Sequence, residues 1–295
     1  MKTLNTDIDV VSFQLFCAIE GGHPFWAQEV KHNGAQVVLT AIQSGFYPPK
    51  KNGIEEIRRK LRDFDIRDSL AELEASGAQF LFAGHPYWPS QLNDLANPPF
   101  GLVVKGKLER MVSLSKSISI VGTRNPSNYG AHIAYDFAAA LSASDWAVVS
   151  GGAVGIDTAA HQGSINTNGL TFAVLASGFN QLYPKSNAKL FSEIARDGLL
   201  ISEVMPDVHP IAARFLVRNR LIAALSKATL VVEAAMRSGS IRTARDAAEI
   251  FRPVMAIPGP INLPTSAGCH KLISDRCAEL VSSVTEIMEL VNPLT

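Results

Sequence analysis

Four turns in this sequence set a cation, a hydroxyl or a run of glycines where an anion can be held. Gly122-Thr123-Arg124 opens the segment VGTRNPSNYG at residues 121–130. Ser150-Gly151-Gly152-Ala153-Val154-Gly155 has three glycines, which let backbone approach a phosphate or sugar closely. Tyr183-Pro184-Lys185-Ser186-Asn187 offers a lysine as a point charge beside a tyrosine that either stacks on a base or packs in the turn. Ser238-Gly239-Ser240 leads into a helical stretch and brings hydroxyls to its N-terminus. Between the last two, Phe215 precedes Arg218-Asn219-Arg220 at the head of an apolar helix; these arginines suit backbone phosphates or a salt-bridged helix end. The shared chemistry is the binding of a phosphate-bearing ligand.

A reacting group is harder to find. His161 lies one helical turn after Asp157, a spacing open to an acid–base dyad, but no serine or cysteine in an exposed elbow accompanies it. A capping Asp157 and a packed His161 are the plainer roles. No H-E-x-x-H occurs, and the three cysteines (Cys17, Cys269 and Cys277) lack C-x-x-C spacing, so no metal site or disulfide framework is expected. The glycine turns match neither G-x-G-x-x-G nor a P-loop, which argues against an NAD or ATP enzyme. We expect no catalytic residue and no cofactor.

The elements that must hold these turns repeat one plan. Strand-like runs at 118–121, 147–149, 172–175, 199–201, 229–232, 254–257 and 279–281 nearly all lack polar alternation, as strands buried on both faces do. Helical stretches separate them. The expected fold is α/β, a Rossmann-like doubly wound and largely parallel sheet, with each turn at a strand's carboxyl end. Two further apolar runs, 80–82 and 102–104, flank a proline-rich connection and form a lead-in to it. We divide the chain into a small helical domain at 1–78, of SAM or helix-hairpin type, and a Rossmann-like domain with its lead-in at 79–295. The first is open to two readings, a DNA-binding hairpin or a packing and partner-docking module.

The chain has 295 residues, 47% hydrophobic and 18% charged, which excludes disorder, and no apolar run is long enough to span a membrane. Its opening, MKTLNTDIDVV, is acidic where a signal peptide is basic, so a cytoplasmic protein with no membrane partner is expected. Net charge is zero, yet residues 214–252 carry eight basic against three acidic side chains, an excess of five. Such an excess either concentrates a positive field or decorates solvated helix faces.

Taken in order, VGTRNPSNYG, SGGAVGIDTAAHQG, YPKSN, FLVRNRLIAALS, VVEAAMRSGSIRTAR and AIPGPI closely resemble the DNA-processing protein A family, DprA or Smf. The resemblance covers about residues 80–285. It implies a non-enzymatic single-stranded DNA binder that protects incoming DNA and helps load RecA in natural transformation, working as a homodimer. It places Arg124 and Lys185 on the strand and maps the glycine and serine turns onto Ser150, Gly151, Gly152, Gly155, Ser238, Gly239 and Ser240. Three positions depart from the family pattern: Leu216 replaces a proline, His270 an asparagine and Cys277 a glycine. The winged-helix domain of many members is not expected here. Two alternatives use the same crevice, a nucleotide sensor in phage defence or signalling and a phosphoribohydrolase-like enzyme with its catalytic turn at Arg237 to Asp246.

Overall fold

Short apolar runs become the inner strands of a nine-stranded sheet among the described residues. In the computed structural model, which describes residues 9–49 and 52–292, five helices come first: α1 (Val10–Ala18), α2 (Pro24–Asn33), α3 (Ala35–Gln43), α4 (Ile54–Arg62) and α5 (Ile66–Ser76). The lead-in supplies β1 (Gln79–Leu81) and β2 (Leu102–Gly106). Strands and helices then alternate: β3 (Ser117–Val121), α6 (Asn128–Ala143), β4 (Ala147–Ser150), α7 (Ile156–Asn166), β5 (Thr171–Leu175) and α8 (Ala188–Asp197). The rest is β6 (Leu199–Ser202), α9 (Ala212–Leu225), β7 (Ala228–Val231), α10 (Gly239–Glu249), β8 (Val254–Ala256), α11 (Ala267–Ser274), β9 (Glu279–Leu280) and α12 (Val284–Val291). Of the two acids in the opening that argued against a signal peptide, Asp7 lies outside the described residues and Asp9 caps α1.

The sheet order is β1-β2-β6-β5-β4-β3-β7-β8-β9. From β6 to β9 every pairing is parallel, whereas β2 runs antiparallel to β6 and to β1. The expected doubly wound fold is therefore present, with the lead-in as its antiparallel edge. Alternate residues of one strand serve opposite faces: Phe172 and Val174 belong to the apolar cluster under α9, while Ala173 and Leu175 pack with α8. Burial on both faces is what removed polar alternation from the sequence. Buried hydroxyls inside the sheet are satisfied, as where Ser119 Oγ lies 2.8 Å from Thr229 Oγ1.

The N-terminal helices share a core with the sheet. Phe13, Trp26 and Ile54 belong to one apolar cluster with Phe80, Val103 and Phe191. Helix starts follow local chemistry. Ser127 Oγ accepts the Gly130 N–H at 3.1 Å ahead of α6, and at α12 Ser283 Oγ accepts the Glu286 N–H at 3.2 Å while the Glu286 carboxylate accepts the Ser282 N–H at 2.6 Å. No helix among the described residues is long and apolar enough to cross a membrane.

Candidate functional site

The chain winds from β3 through β4 and β5 to β6 in one direction, then returns to place β7 on the other side of β3. Connections leave β3 and β7 toward opposite sides, so their carboxyl ends border a gap, the usual ligand position in such sheets. A crevice of about 780 Å³ opens there. Gly122, Thr123 and Arg124 line it from β3, and Phe215, Arg218 and Asn219 from α9. Tyr183 contributes from the loop before α8, and Ser238, Gly239 and Ser240 from the start of α10.

Glu233 pins the Arg124 loop. Its carboxylate, almost fully buried, accepts the Ser127 N–H at 2.9 Å and the Ser127 hydroxyl at 2.5 Å, and its backbone oxygen accepts the Thr123 N–H at 2.7 Å. Arg124 is thereby held over the crevice, its guanidinium carbon 5.4 Å from the centroid of Phe215. Tyr183 meets the same ring edge-on at 5.5 Å. Phe215 thus joins a cation and a second aromatic in one cluster. Among the described residues neither Arg124 nor Lys185 takes part in an ion pair, so both cations are available to an external anion. Lys185 is exposed, two residues beyond Tyr183.

The glycine turn after β4 is a built floor. Gly155 sits at φ +88°, and a Cβ there would meet the Thr123 oxygen at 2.5 Å, so both conformation and space require glycine. Asp157 Oδ2 accepts the N–H groups of Gly151 at 3.1 Å and Ala153 at 3.3 Å. From below, Arg218 Nη1 donates to the Gly151 oxygen at 2.7 Å and also to Val174 O. Burial pushes Arg218 down to about 10, against the pull of Asp157 and with Arg124 adding to the decrease. Burial raises the Asp157 carboxyl, and Arg218 with the turn amides holds it back.

Asp157 and His161 do not form the dyad their spacing allowed. His161 Nδ1 lies 2.7 Å from Thr171 Oγ1, which itself donates to Val148 O, so Nδ1 carries the proton toward threonine. Burial pushes the imidazole down to about 3, and it is neutral at physiological pH. The packed histidine is the role the structure gives. No cluster of potential metal ligands occurs among the described residues.

Helix α10 begins at the crevice without a side-chain cap, because Ser238 Oγ turns to Ser240 Oγ at 2.7 Å. Its first-turn N–H groups face the cavity at the positive end of the helix. Asn219 Nδ2 braces this start by donating to Gly239 O at 3.2 Å. Asp246, which stands where a phosphoribohydrolase-like enzyme has its glutamate, is buried and held by Arg242 at 2.6 Å, away from the crevice lining.

The remaining expected site residues are held beneath or beside the crevice. Ser150 is buried and donates to Ile120 O at 2.6 Å. Gly151 borders a small recess beside Tyr183, while Asn187 Nδ2 supports Gly152 O at 3.0 Å. Arg220 turns from the crevice to Glu203, 2.7 Å away. Sequence reasoning missed Pro210 and Ile211, which form a wall, and did not count Leu216 as lining. An apolar residue just before a helix carries no signal of its own. The basic excess of 214–252 is also largely spent. Arg214, Arg220, Arg242 and Arg252 sit in ion pairs, three with acids outside that stretch, and Arg218 is buried.

The pattern of DNA recombination-mediator protein A matches residues 79–292. The chain belongs to this family. It is 48% identical over 176 residues to a DprA-named protein of Mycobacterium tuberculosis, covering 60% of this chain and 45% of that one. To Protein Smf of Escherichia coli it is 40% identical over 225 residues, 76% of this chain and 59% of that one. The chain thus spans about half the length of these relatives. DprA from Streptococcus pneumoniae superposes with a TM-score of 0.79 at 29% identity over 98% of both chains. A Helicobacter pylori DprA, described for its single-stranded DNA binding mode, superposes with a TM-score of 0.65 at 29% identity over 72% of this chain and 96% of that one.

Two of the three positions expected to depart from the family's motifs have a local account, and nothing in the structure explains Cys277. His270 Nε2 lies 2.9 Å from Gly259 O and braces the Ile257-Pro258-Gly259 turn. Leu216 is exposed on the crevice wall beside Phe215. Cys277 is an exposed free thiol.

Proposed function

We propose that the crevice binds single-stranded DNA without reading its sequence. The observation that carries this is the Arg124–Phe215–Tyr183 cluster facing the uncapped start of α10. One wall supplies cation and π-faces for bases, and the other supplies amide donors for phosphates. Backbone N–H groups donate to any phosphate and aromatic faces stack on any base, so the arrangement follows a strand irrespective of sequence. Lys185 adds a phosphate contact at the edge. Gly151, Gly152, Gly155, Asn187 and Arg218 give the floor its shape, with the strand running over them.

The chain acts by binding, protecting incoming strands during DNA processing in transformation and recombination. Membership of the family and the resemblance of its motifs support this reading. On the same grounds RecA loading and homodimer formation are assigned to it. The likeness to the Helicobacter pylori protein supports the choice of a single strand.

The test is fluorescence anisotropy of a labelled single-stranded oligonucleotide over a salt series, with wild type and the Arg124→Ala, Lys185→Ala double variant. Steep salt dependence, preference over duplex and loss in the double variant are expected. A folded protein that ignores the strand at low salt but binds a mononucleotide with little salt dependence overturns the proposal in favour of a nucleotide sensor.

A further inference from the structure

Gly21-Gly22 punctuates the sequence, and in the fold it is pressed against α9. A Cβ on Gly21 would meet Glu203 Cδ at 2.3 Å, and one on Gly22, whose φ is +70°, would meet Val217 Cγ1 at 2.5 Å. Ionic contacts flank this close approach. Arg214 meets Glu20 with two prongs, Nη2 to Oε1 at 2.7 Å and Nε to Oε2 at 3.1 Å, and its Nη1 donates to His209 O at 2.6 Å. Arg220 meets Glu203 next to the glycines.

Ahead of Arg218, whose guanidinium carbon lies 5.9 Å from the Phe215 centroid, the start of α9 has little else to hold it. Ala212 and Ala213 are exposed. A second cavity of about 250 Å³ lies on the side away from the crevice, bordered by Glu20, Gly21, Val204 and Val217, and Ile211 and Arg218 face both spaces. This weakly packed segment nonetheless carries Phe215, the ring that joins Arg124 and Tyr183.

We infer that Glu20, Gly21 and Gly22 are positioning residues for the crevice: through Arg214, Val217 and the Glu203–Arg220 pair they fix the first turns of α9 and hence the Phe215 ring. The inference rests on the reading of the crevice as a single-strand site. It separates by sign from a simple charge effect. Glu20 is an acid near a polyanion site, so electrostatics alone makes its removal strengthen DNA binding. Loss of the latch frees Phe215 and weakens it.

The full chain is tested as Glu20→Ala, Glu20→Arg and the exchange Glu20→Arg with Arg214→Glu, beside wild type and Arg124→Ala. A labelled single-stranded oligonucleotide is titrated over a salt series, and hydrogen exchange is followed at residues 211–217. Both single variants are expected to bind about tenfold more weakly, the loss of about one stacked base. Their slope against log salt stays unchanged, because no phosphate contact is removed. The exchanged pair recovers most of the affinity, and residues 211–217 exchange faster in Glu20→Ala. Unchanged or tighter binding by Glu20→Ala, or an exchanged pair no better than the single variants, overturns the inference. If wild type and Arg124→Ala both ignore the strand, the crevice reading falls instead, and exchange at 211–217 alone decides the latch: faster supports it and unchanged overturns it.

Discussion

Arg218 and Asp157 hold one residue between them: the arginine donates to the Gly151 carbonyl at 2.7 Å while the aspartate accepts the Gly151 N–H at 3.1 Å. Opposite charges thus grip the two polar groups of a single glycine, and both side chains are buried. The consequence is a rigid floor for the crevice, and a conditional one, since each charge is tolerated only with the other present.

Replacing Arg218 by Met strands Asp157 as an uncompensated buried charge. A destabilisation of about 3–5 kcal/mol is expected in urea unfolding. Adding Asp157→Asn removes that charge, so the double variant should be more stable than Arg218→Met alone. Additive losses would show that the two side chains do not act as a pair.

The pH profile of stability carries the signature of His161. Its folded value of about 3 lies below the ordinary 6.5, so the unfolded chain takes up the proton first. The stability from the neutral ring is complete above pH 6.5 and drains as pH falls toward 3, at up to ~1.4 kcal/mol per pH unit. Asp157 acts in the opposite sense: its folded value is raised, so its contribution is present below the ordinary carboxylate value and lost as pH rises through the folded one. His161→Leu should flatten the acid limb of urea midpoints measured between pH 7 and 4. An unchanged limb would place the acid sensitivity elsewhere.

Phe215 and Lys185 should fail in different ways. Phe215→Ala is expected to cost about 1–3 kcal/mol of single-strand affinity while the salt slope stays constant, because a stack is lost and no phosphate. Lys185→Ala should reduce the slope by ~0.7, one phosphate contact on a single strand. Anisotropy titrations at four or more salt concentrations distinguish the two.

Gly155→Ala introduces a Cβ at φ +88° and against a backbone oxygen that cannot move away. A loss of more than ~1 kcal/mol is expected, together with weaker strand binding as the floor shifts. Thermal melts and the same anisotropy assay check both. A variant as stable as wild type would mean that the turn has another conformation open to it.

The strands were legible because burial on both faces leaves runs such as Phe172 to Leu175 with no polar residue to confuse the reading. The turns were legible for a related reason: at the ends of such strands glycines and hydroxyls stand out, as at Gly122, Gly151 and Ser238. What the sequence hid is where side chains point. Arg218 and Arg220 are two residues apart, yet one supports the floor and the other meets Glu203 on the far side of α9. Arg214 finds its acid 194 positions away in the chain. Charge counted over a window misjudges the field wherever pairing is long-range, and the excess at 214–252 is such a case.

The sheet order has a bearing on how the crevice comes into being. β3 gains β4 as a neighbour after a single intervening helix, but β7, its other neighbour, leaves the ribosome only after β5, β6 and three further helices have passed. The floor at Gly151 can therefore be laid while the α10 wall is still unsynthesised. Arg218, which braces that floor from below, also arrives late. Until Phe215 and Arg218 emerge, the nascent chain has made Arg124 and the Gly151 turn but neither the ring that receives the one nor the arginine that braces the other.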